Sequence, residues 1–229
     1  MSKTISILMS VHNDEKKIGL SIESILNQTY ENFELLLMDD CSTDDTYKIC
    51  NKYQKIDKRI KLFKNKKNIG LTKSLNKLIK ESAGVFIARQ DSDDISYKDR
   101  LFRQYELLSS SNIDACTTLA KIKNQNRVIP NISKYINPKL TINFKNPFIH
   151  GTLMLKLEAL KEVGFYNEKF YYSQDYKLMK DLIKNKNKVK IIREVLYELN
   201  IEENISAIHK EEQMYYAKCV KQDKIPKTI

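Results

Sequence analysis

Apolar residues gather in short runs, and the stretches between the runs carry apolar positions at helical spacing. Ile5–Val11 is apolar apart from Ser6 and Ser10, the pattern of a strand covered on both faces. Ile18, Ile22, Ile25 and Leu26 then recur at i, i+4, i+7 and i+8, which predicts one buried helical face. Residues 33–38 predict a second buried strand. Ser42, Thr43, Asp44 and Asp45 offer N-cap hydroxyls and early acids to a helix reaching about Ile56. Residues 60–63 predict a third strand, Leu71, Leu75, Leu78 and Ile79 a third helix, and residues 85–88 a fourth strand ending at an acidic cluster. Such alternation predicts a doubly wound α/β sheet, whose ligands bind beyond the carboxyl ends of the strands.

After Asp99 the pattern loosens. Leu101, Tyr105 and Leu108 predict a helix; residues 115–122, 127–129 and 153–155 read as strands, the last followed by a short helix to Val163. Residues 175–183 and 205–220 read as the final helices, with extended segments at 189–192 and 196–201. With no linker, repeat or low-complexity segment, a single domain over residues 1–229 is expected.

Composition removes several function classes. The five glycines are too scattered to write GxGxxG or GxxxxGK, so a classical dinucleotide fingerprint and a P-loop are excluded. The four cysteines form no CxxC pair and the three histidines no metal-finger spacing, which fits a reduced protein without structural zinc. No run reads as a secretion signal or membrane span, so a cytoplasmic location is expected. The net charge of +11 is concentrated: residues 48–80 hold twelve lysines and arginines against Asp57 alone. Such a stretch suits nucleic acid, an anionic membrane or a phosphorylated substrate, and equally a solvated lysine-rich face. Tyr53 and Phe63 are its only two Phe or Tyr rings besides none of tryptophan, so a base-stacking platform is not evident.

The candidate chemistry is acidic. Asp39 and Asp40 follow the second strand, Asp91, Ser92, Asp93 and Asp94 follow the fourth, and Asp175 opens a late helix. Two like charges 4 Å apart repel by about 4 kcal/mol at an effective dielectric near 20, so a tight cluster calls for a cation or a proton among its members. Oxygen ligands favour Mg²⁺ or Mn²⁺, which take their remaining ligands from phosphates. The competing reading makes residues 91–94 a turn and helix cap ahead of residues 95–108.

The ordered set Ile5-Ser-Ile-Leu-Met-Ser-Val-His-Asn13, Ser24-Ile-Leu-Asn-Gln-Thr-Tyr30, Asp39-Asp-Cys-Ser-Thr-Asp44, Asn68-Ile-Gly-Leu71 with Ser74-Leu-Asn76, and Ala88-Arg-Gln-Asp-Ser-Asp-Asp-Ile95 resembles family 2 glycosyltransferases of the GT-A fold. The likeness resumes at Asn146-Pro-Phe-Ile-His150, Val163-Gly-Phe-Tyr166 and Ser173-Gln-Asp-Tyr-Lys-Leu178. It implies a Rossmann-like doubly wound mixed sheet with flanking helices, divided into a nucleotide-sugar half (1–97), an acceptor half (98–204) and a helical tail (205–229). It also implies roles. Ser10, His12, Asp40, Asp91 and Ser92 would bind the nucleotide-sugar, with Asp40 on the base and His12 lying against it. Asp93, with Asp91, would hold Mn²⁺ or Mg²⁺, His150 would stand at the acceptor site, and Asp175 would be the catalytic base of an inverting transfer.

The expected activity is addition of one sugar, from a UDP-sugar, to a glycan or lipid-linked acceptor of a bacterial surface polysaccharide, at the inner face of the membrane. The final helix is expected either to touch that membrane, to pack, or to form a homodimer. Nucleic acid is not an expected partner. The rivals are a donor-binding relative impaired in catalysis, a nucleotidyltransferase, which would need a glycine-rich loop absent from residues 10–15, and a basic nucleic-acid-binding protein. One departure stands out: Asn200 and Glu202 occupy positions where relatives carry Arg and His, which puts neutralisation of the leaving group in doubt.

Overall fold

Strand β1 (Ile5–Val11) is hydrogen-bonded in parallel to β2 (Phe33–Asp39) on one side and to β4 (Phe86–Arg89) on the other, and β3 (Ile60–Lys64) runs parallel outside β2. The structure is a computed structural model and describes residues 4–201 and 209–227. Helices α1 (Ile18–Leu26), α2 (Thr46–Ile56) and α3 (Leu71–Lys80) make the crossovers. Every residue of β2 and all but Ser10 of β1 are buried, as strands covered on both faces require. Each fully buried Ile or Leu contributes roughly 1.5–3 kcal/mol, and these strands supply most of the apolar surface that the flanking helices cover.

The second half extends the sheet with mixed polarity. Its elements are β5 (Ile95–Ser96), α4 (Arg100–Ser110), β6 (Ala115–Ile122), β7 (Val128–Ile129), α5 (Pro138–Thr141), β8 (Met154–Lys156), α6 (Leu157–Glu162), α7 (Gln174–Lys184), β9 (Val189–Leu199) and α8 (Lys210–Lys221). The strand order is β3-β2-β1-β4-β8-β6-β9-β5, with β7 paired to β6. Strand β8 is antiparallel to β4 and β6, whereas β6 and β9 are parallel. One core lies between the sheet and α1, α2 and α4 through Ile18, Ile22, Cys50 and Leu101. The other lies between the sheet and α3, α6, α7 and α8 through Leu75, Leu160, Leu178 and Val220. The mixed doubly wound sheet is the one expected.

Three local expectations are corrected. The hydroxyls of Ser42 and Thr43 do not cap α2: Ser42 Oγ accepts from Asn13 N (3.0 Å), and Asn13 Oδ1 accepts from Thr43 N (2.8 Å), so the loops after β1 and β2 are tied together. Residues 95–96 form a strand on β9 and the helix starts only at Arg100, so the acidic turn is not that helix's cap. The two extended segments near the end are one strand, β9, whose register against β6 shifts where Arg193 and Glu194 interrupt the apolar pattern. The last helix packs through Tyr216, Cys219 and Val220; the start expected for it, residues 205–208, lies outside the described residues.

The basic stretch is a solvated face: Lys48, Lys52, Lys55, Lys61, Lys64, Lys66, Lys67, Lys73, Lys77 and Lys80 are exposed along α2, β3 and α3. Lysines on the outermost strand also discourage strand addition from another chain. All four cysteines are free. Among the described residues, no helix is long and apolar enough to cross a membrane.

Candidate active site

Beyond the carboxyl ends of β1, β2 and β4 lies a cleft of about 870 Å³. Ser10, His12, Asp40, Asp91, Ser92, Asp93, His150 and Asp175, every site residue singled out from the sequence, line it. Residues separated by more than a hundred positions are therefore brought to one surface by the parallel sheet and its closing strands.

The end of the cleft around Asp40 is tied down by hydrogen bonds. Asp40 is buried, and its Oδ1 accepts from Asn65 Nδ2 (2.8 Å) and Ile69 N (3.0 Å) while Oδ2 accepts from Gly70 N (2.8 Å). Its first task is thus to hold the loop that precedes α3, and Oδ2 keeps a lone pair for a ligand donor. Gly70 has φ +84°, and a Cβ there would stand 2.7 Å from Tyr171 Cε2, so glycine is required on both counts. His12 is exposed, and its Nδ1 lies 3.0 Å from the Asp40 carbonyl oxygen, which fixes the ring at the cleft edge with Nδ1 as donor.

The acidic turn is held from beneath. Arg89, entirely buried at the end of β4, ion-pairs with Asp91, and it also donates to the carbonyls of Leu8 (2.6 Å) and Gln90 (2.9 Å). The Gln90 amide donates to the carbonyls of Asp91 (3.1 Å) and Asp94 (3.0 Å), locking the turn's backbone. A second buried arginine, Arg100, donates to the carbonyls of Arg89 (2.9 Å) and Gly151 (3.1 Å), and burial pulls its pKa down to about 10. Arg89 is thus a buried clamp on the acidic turn.

From the far end of the sheet, Asn200 N donates to Asp94 Oδ1 (2.6 Å) and Asn200 Nδ2 to Asp93 Oδ2 (3.3 Å). Asn200 thus braces the acidic turn, where the sequence pointed only to a missing arginine. Glu202 lies outside the described residues. Of the basic stretch, only Asn68 and Leu71 reach the cleft, so its lysines do not supply the missing charge; His209 and Lys210 do line the cleft.

Electrostatics follow from this crowding. Burial, Asp91 and Asp14 push Asp93 up to about 6, and burial with Asp91 and Asp93 pushes Asp94 well above the carboxylate range. Burial also raises Asp14, whose Oδ2 accepts from Ser92 Oγ (2.7 Å). Among the described residues no three His, Cys, Asp or Glu are already gathered to cage an ion. The donor set is nonetheless all carboxylate oxygen, and a divalent ion would relieve the repulsion that raises Asp93. One or two such ligands, with the rest from water and phosphate, match how Mg²⁺ binds, so the residues fit the group.

On the opposite wall, Asp175 sits in the first turn of α7, partly exposed, with Asn146 Nδ2 donating to its Oδ2 (2.7 Å). Burial pushes its carboxyl up, opposed by the Tyr176 N–H and Asn146. His150 Nε2 lies 2.8 Å from the Tyr166 hydroxyl and 3.4 Å from Arg89 Nε. Burial and Arg89 push the imidazole down to about 3, so it is neutral at physiological pH and its Nε2 accepts. Sequence reasoning missed Arg100, Asn146, Tyr197 and Gly151. The Tyr197 hydroxyl accepts from Asp91 N (3.2 Å).

A Cβ at Gly151 would come within 2.7 Å of Asp91 Oδ2 and closer still to the Tyr197 hydroxyl. Gly151→Ala is therefore expected to displace the acidic turn, costing about 1–3 kcal/mol by overpacking, and to weaken nucleotide binding. Thermal melting and calorimetry would check both effects, and an alanine variant with unchanged affinity would show that the turn tolerates movement.

The mixed sheet with its cleft beyond the parallel strands matches the fold of solved GT-A glycosyltransferases. The chain belongs to glycosyltransferase family 2: the family profile, Glycosyl transferase family 2, matches residues 6–164. It is similar to the glycosyltransferase EpsE of Bacillus subtilis, 36% identical over 170 residues that cover 71% of this chain and 59% of that one. It is also similar to WfgD of Escherichia coli, UDP-Glc:alpha-D-GlcNAc-diphosphoundecaprenol beta-1,3-glucosyltransferase, at 35% identity over 80% of this chain and 71% of that one. Among solved structures, S. aureus TarS 1–349 in complex with UDP superposes with a TM-score of 0.77 at 23% identity, covering 95% of this chain and 64% of that one. The chain thus spans less than two thirds of the length of EpsE and of the TarS fragment.

Proposed function

We propose that this chain transfers a single sugar from a UDP-sugar, with inversion, to a hydroxyl of a lipid-linked glycan of a bacterial surface polysaccharide. The observation that carries the reading is the convergence of Asp40, Asp93 and Asp175 on one cleft. WfgD supports it in kind: a UDP-linked donor, a diphosphoundecaprenol acceptor and a beta product.

The nucleotide would lie between His12 and Asp40, with the imidazole face against the base and Asp40 Oδ2 accepting from a ring N–H. Ser10, Ser92 and Asp91 would line the ribose and diphosphate path. Asp93, with Asp91, would hold Mn²⁺ or Mg²⁺, which when bound offsets the charge of the departing diphosphate. Asp175 takes the proton from the acceptor hydroxyl as its oxygen forms the new bond to the anomeric carbon. The bond from that carbon to the diphosphate oxygen breaks, and the nucleoside diphosphate leaves with the electron pair. A raised carboxylate pKa brings the base nearer the acceptor's and suits it to this role. Asn146 fixes the carboxylate's orientation, and neutral His150 lines the same cleft without adding a positive charge of its own.

The test is a screen of nucleotide-sugars for thermal stabilisation with and without Mn²⁺, since a ligand confined to the native state raises its melting point by mass action. Asp93→Ala is expected to abolish the metal-dependent part of UDP binding measured by calorimetry. Equal affinity of the wild-type chain with metal and with chelator would remove the metal from the reading.

A further inference from the structure

Between β7 and the short 3-10 turn His150–Thr152, the chain exposes apolar side chains that no core claims. Ile132, Tyr135, Ile136, Leu140 and Phe144 are all exposed, Phe144 by 76% and Leu140 by 63%. Ile136, Leu140, Thr141 and Phe144 line a shallow groove of about 340 Å³, and Lys145, which completes it, also lines the active-site cleft. The groove therefore opens beside the cleft mouth.

Its charge is one-sided. From residue 115 to residue 157 the sequence contains no Asp or Glu and seven basic residues, Lys121, Lys123, Arg127, Lys134, Lys139, Lys145 and Lys156. Lys134 and Arg193 also stand over the Tyr135 ring, 5.2 and 4.9 Å from its centroid. Exposed apolar side chains among cations, with no acid in their own stretch of chain, match an interfacial membrane anchor, in which apolar groups enter the acyl boundary and lysines meet anionic headgroups. A soluble protein partner would call for no such exclusion of acids.

We infer that residues 132–145 dock this chain on an anionic lipid bilayer, with the cleft mouth facing the membrane surface. The surface stands on its own residues; it rests on the transfer reading only for its purpose, which is to bring the cleft to a lipid-linked acceptor. The C-terminal helix turns Tyr216, Cys219 and Val220 into the core.

The test is co-sedimentation of the full chain with phosphatidylcholine vesicles, with and without phosphatidylglycerol. Wild type is expected to bind the anionic vesicles and release them as salt rises, because each lysine near an anionic surface multiplies partitioning by about fivefold. The triple substitution Ile136→Ser, Leu140→Ser, Phe144→Ser is expected to lower partitioning at least about tenfold while leaving melting temperature and UDP binding unchanged. As a second variant, Lys134→Glu with Lys139→Glu should remove the preference for anionic lipid. The inference is overturned if wild type does not sediment with anionic vesicles, or if the triple variant still does. It is equally overturned if Lys66→Glu with Lys67→Glu, on the separate basic face, abolishes binding while the triple variant retains it, or if the groove proves to hold a second copy, with a dimer in sedimentation equilibrium that the triple variant dissolves. Failure of the glycosyltransferase reading would show in transfer assays and leave vesicle binding intact.

Discussion

Asp175→Asn is expected to lower the rate of transfer by about 10²–10⁴ while leaving UDP affinity within a small factor of wild type. The asparagine is nearly isosteric, so the contact with Asn146 can be kept after reorientation of the amide, and α7 loses little. What disappears is the group that accepts the acceptor's proton. A pH profile separates this from a structural effect. Burial raises the Asp175 pKa in the folded protein, and only the deprotonated form is a base, so wild-type kcat/KM should fall on the acid side as pH drops through that raised value. In the asparagine variant the residual rate should lose that acidic limb. Wild-type turnover in the variant would take Asp175 out of the mechanism.

Arg89→Met should produce the largest loss of stability among the site substitutions. Methionine fills much of the volume but removes the donors to Leu8, Gln90 and His150 and leaves Asp91 facing Asp93 and Asp94 without its counter-ion. Removing one partner of a buried pair typically costs about 3–5 kcal/mol; the Asp91 side chain is 31% exposed and can recover some hydration, so the lower end is expected. Denaturant melts would measure this. The double variant Arg89→Met with Asp91→Asn should regain part of the loss, since the stranded carboxylate is then gone. If the single variant were as stable as wild type, the buried arginine would not be what holds the acidic turn.

The parts of the fold that could be read from the sequence are those in which one residue's environment is local. Ile5–Val11 and the run at 33–38 announce buried strands because nearly every position is apolar, and Ile18, Ile22 and Ile25 announce a helix because one face suffices. The site residues could be named because the acids fall at strand ends and keep an ordered pattern. Asn146 and Tyr197 were not legible as site residues because their partners, Asp175 and Asp91, lie far along the chain. A buried arginine looks like any other cation until Asp91 is seen beside it. Asn200 reads as a lost arginine until its backbone and amide are found on Asp94 and Asp93. The apolar residues between 132 and 144 gave no element, although Ile132, Ile136, Leu140 and Phe144 recur every four residues with Pro138 in their midst, and the absence of acids over residues 115–157 was there to be noticed.

The bond between Asn200 and Asp94 spans 106 positions, and β5 joins the sheet only through β9. On a ribosome, the strands around β1 emerge early and can pair at once, while the acidic turn they carry must wait for more than a hundred further residues before its brace arrives. A nascent chain thus has the Asp40 end of the cleft organised well before its acidic turn is locked.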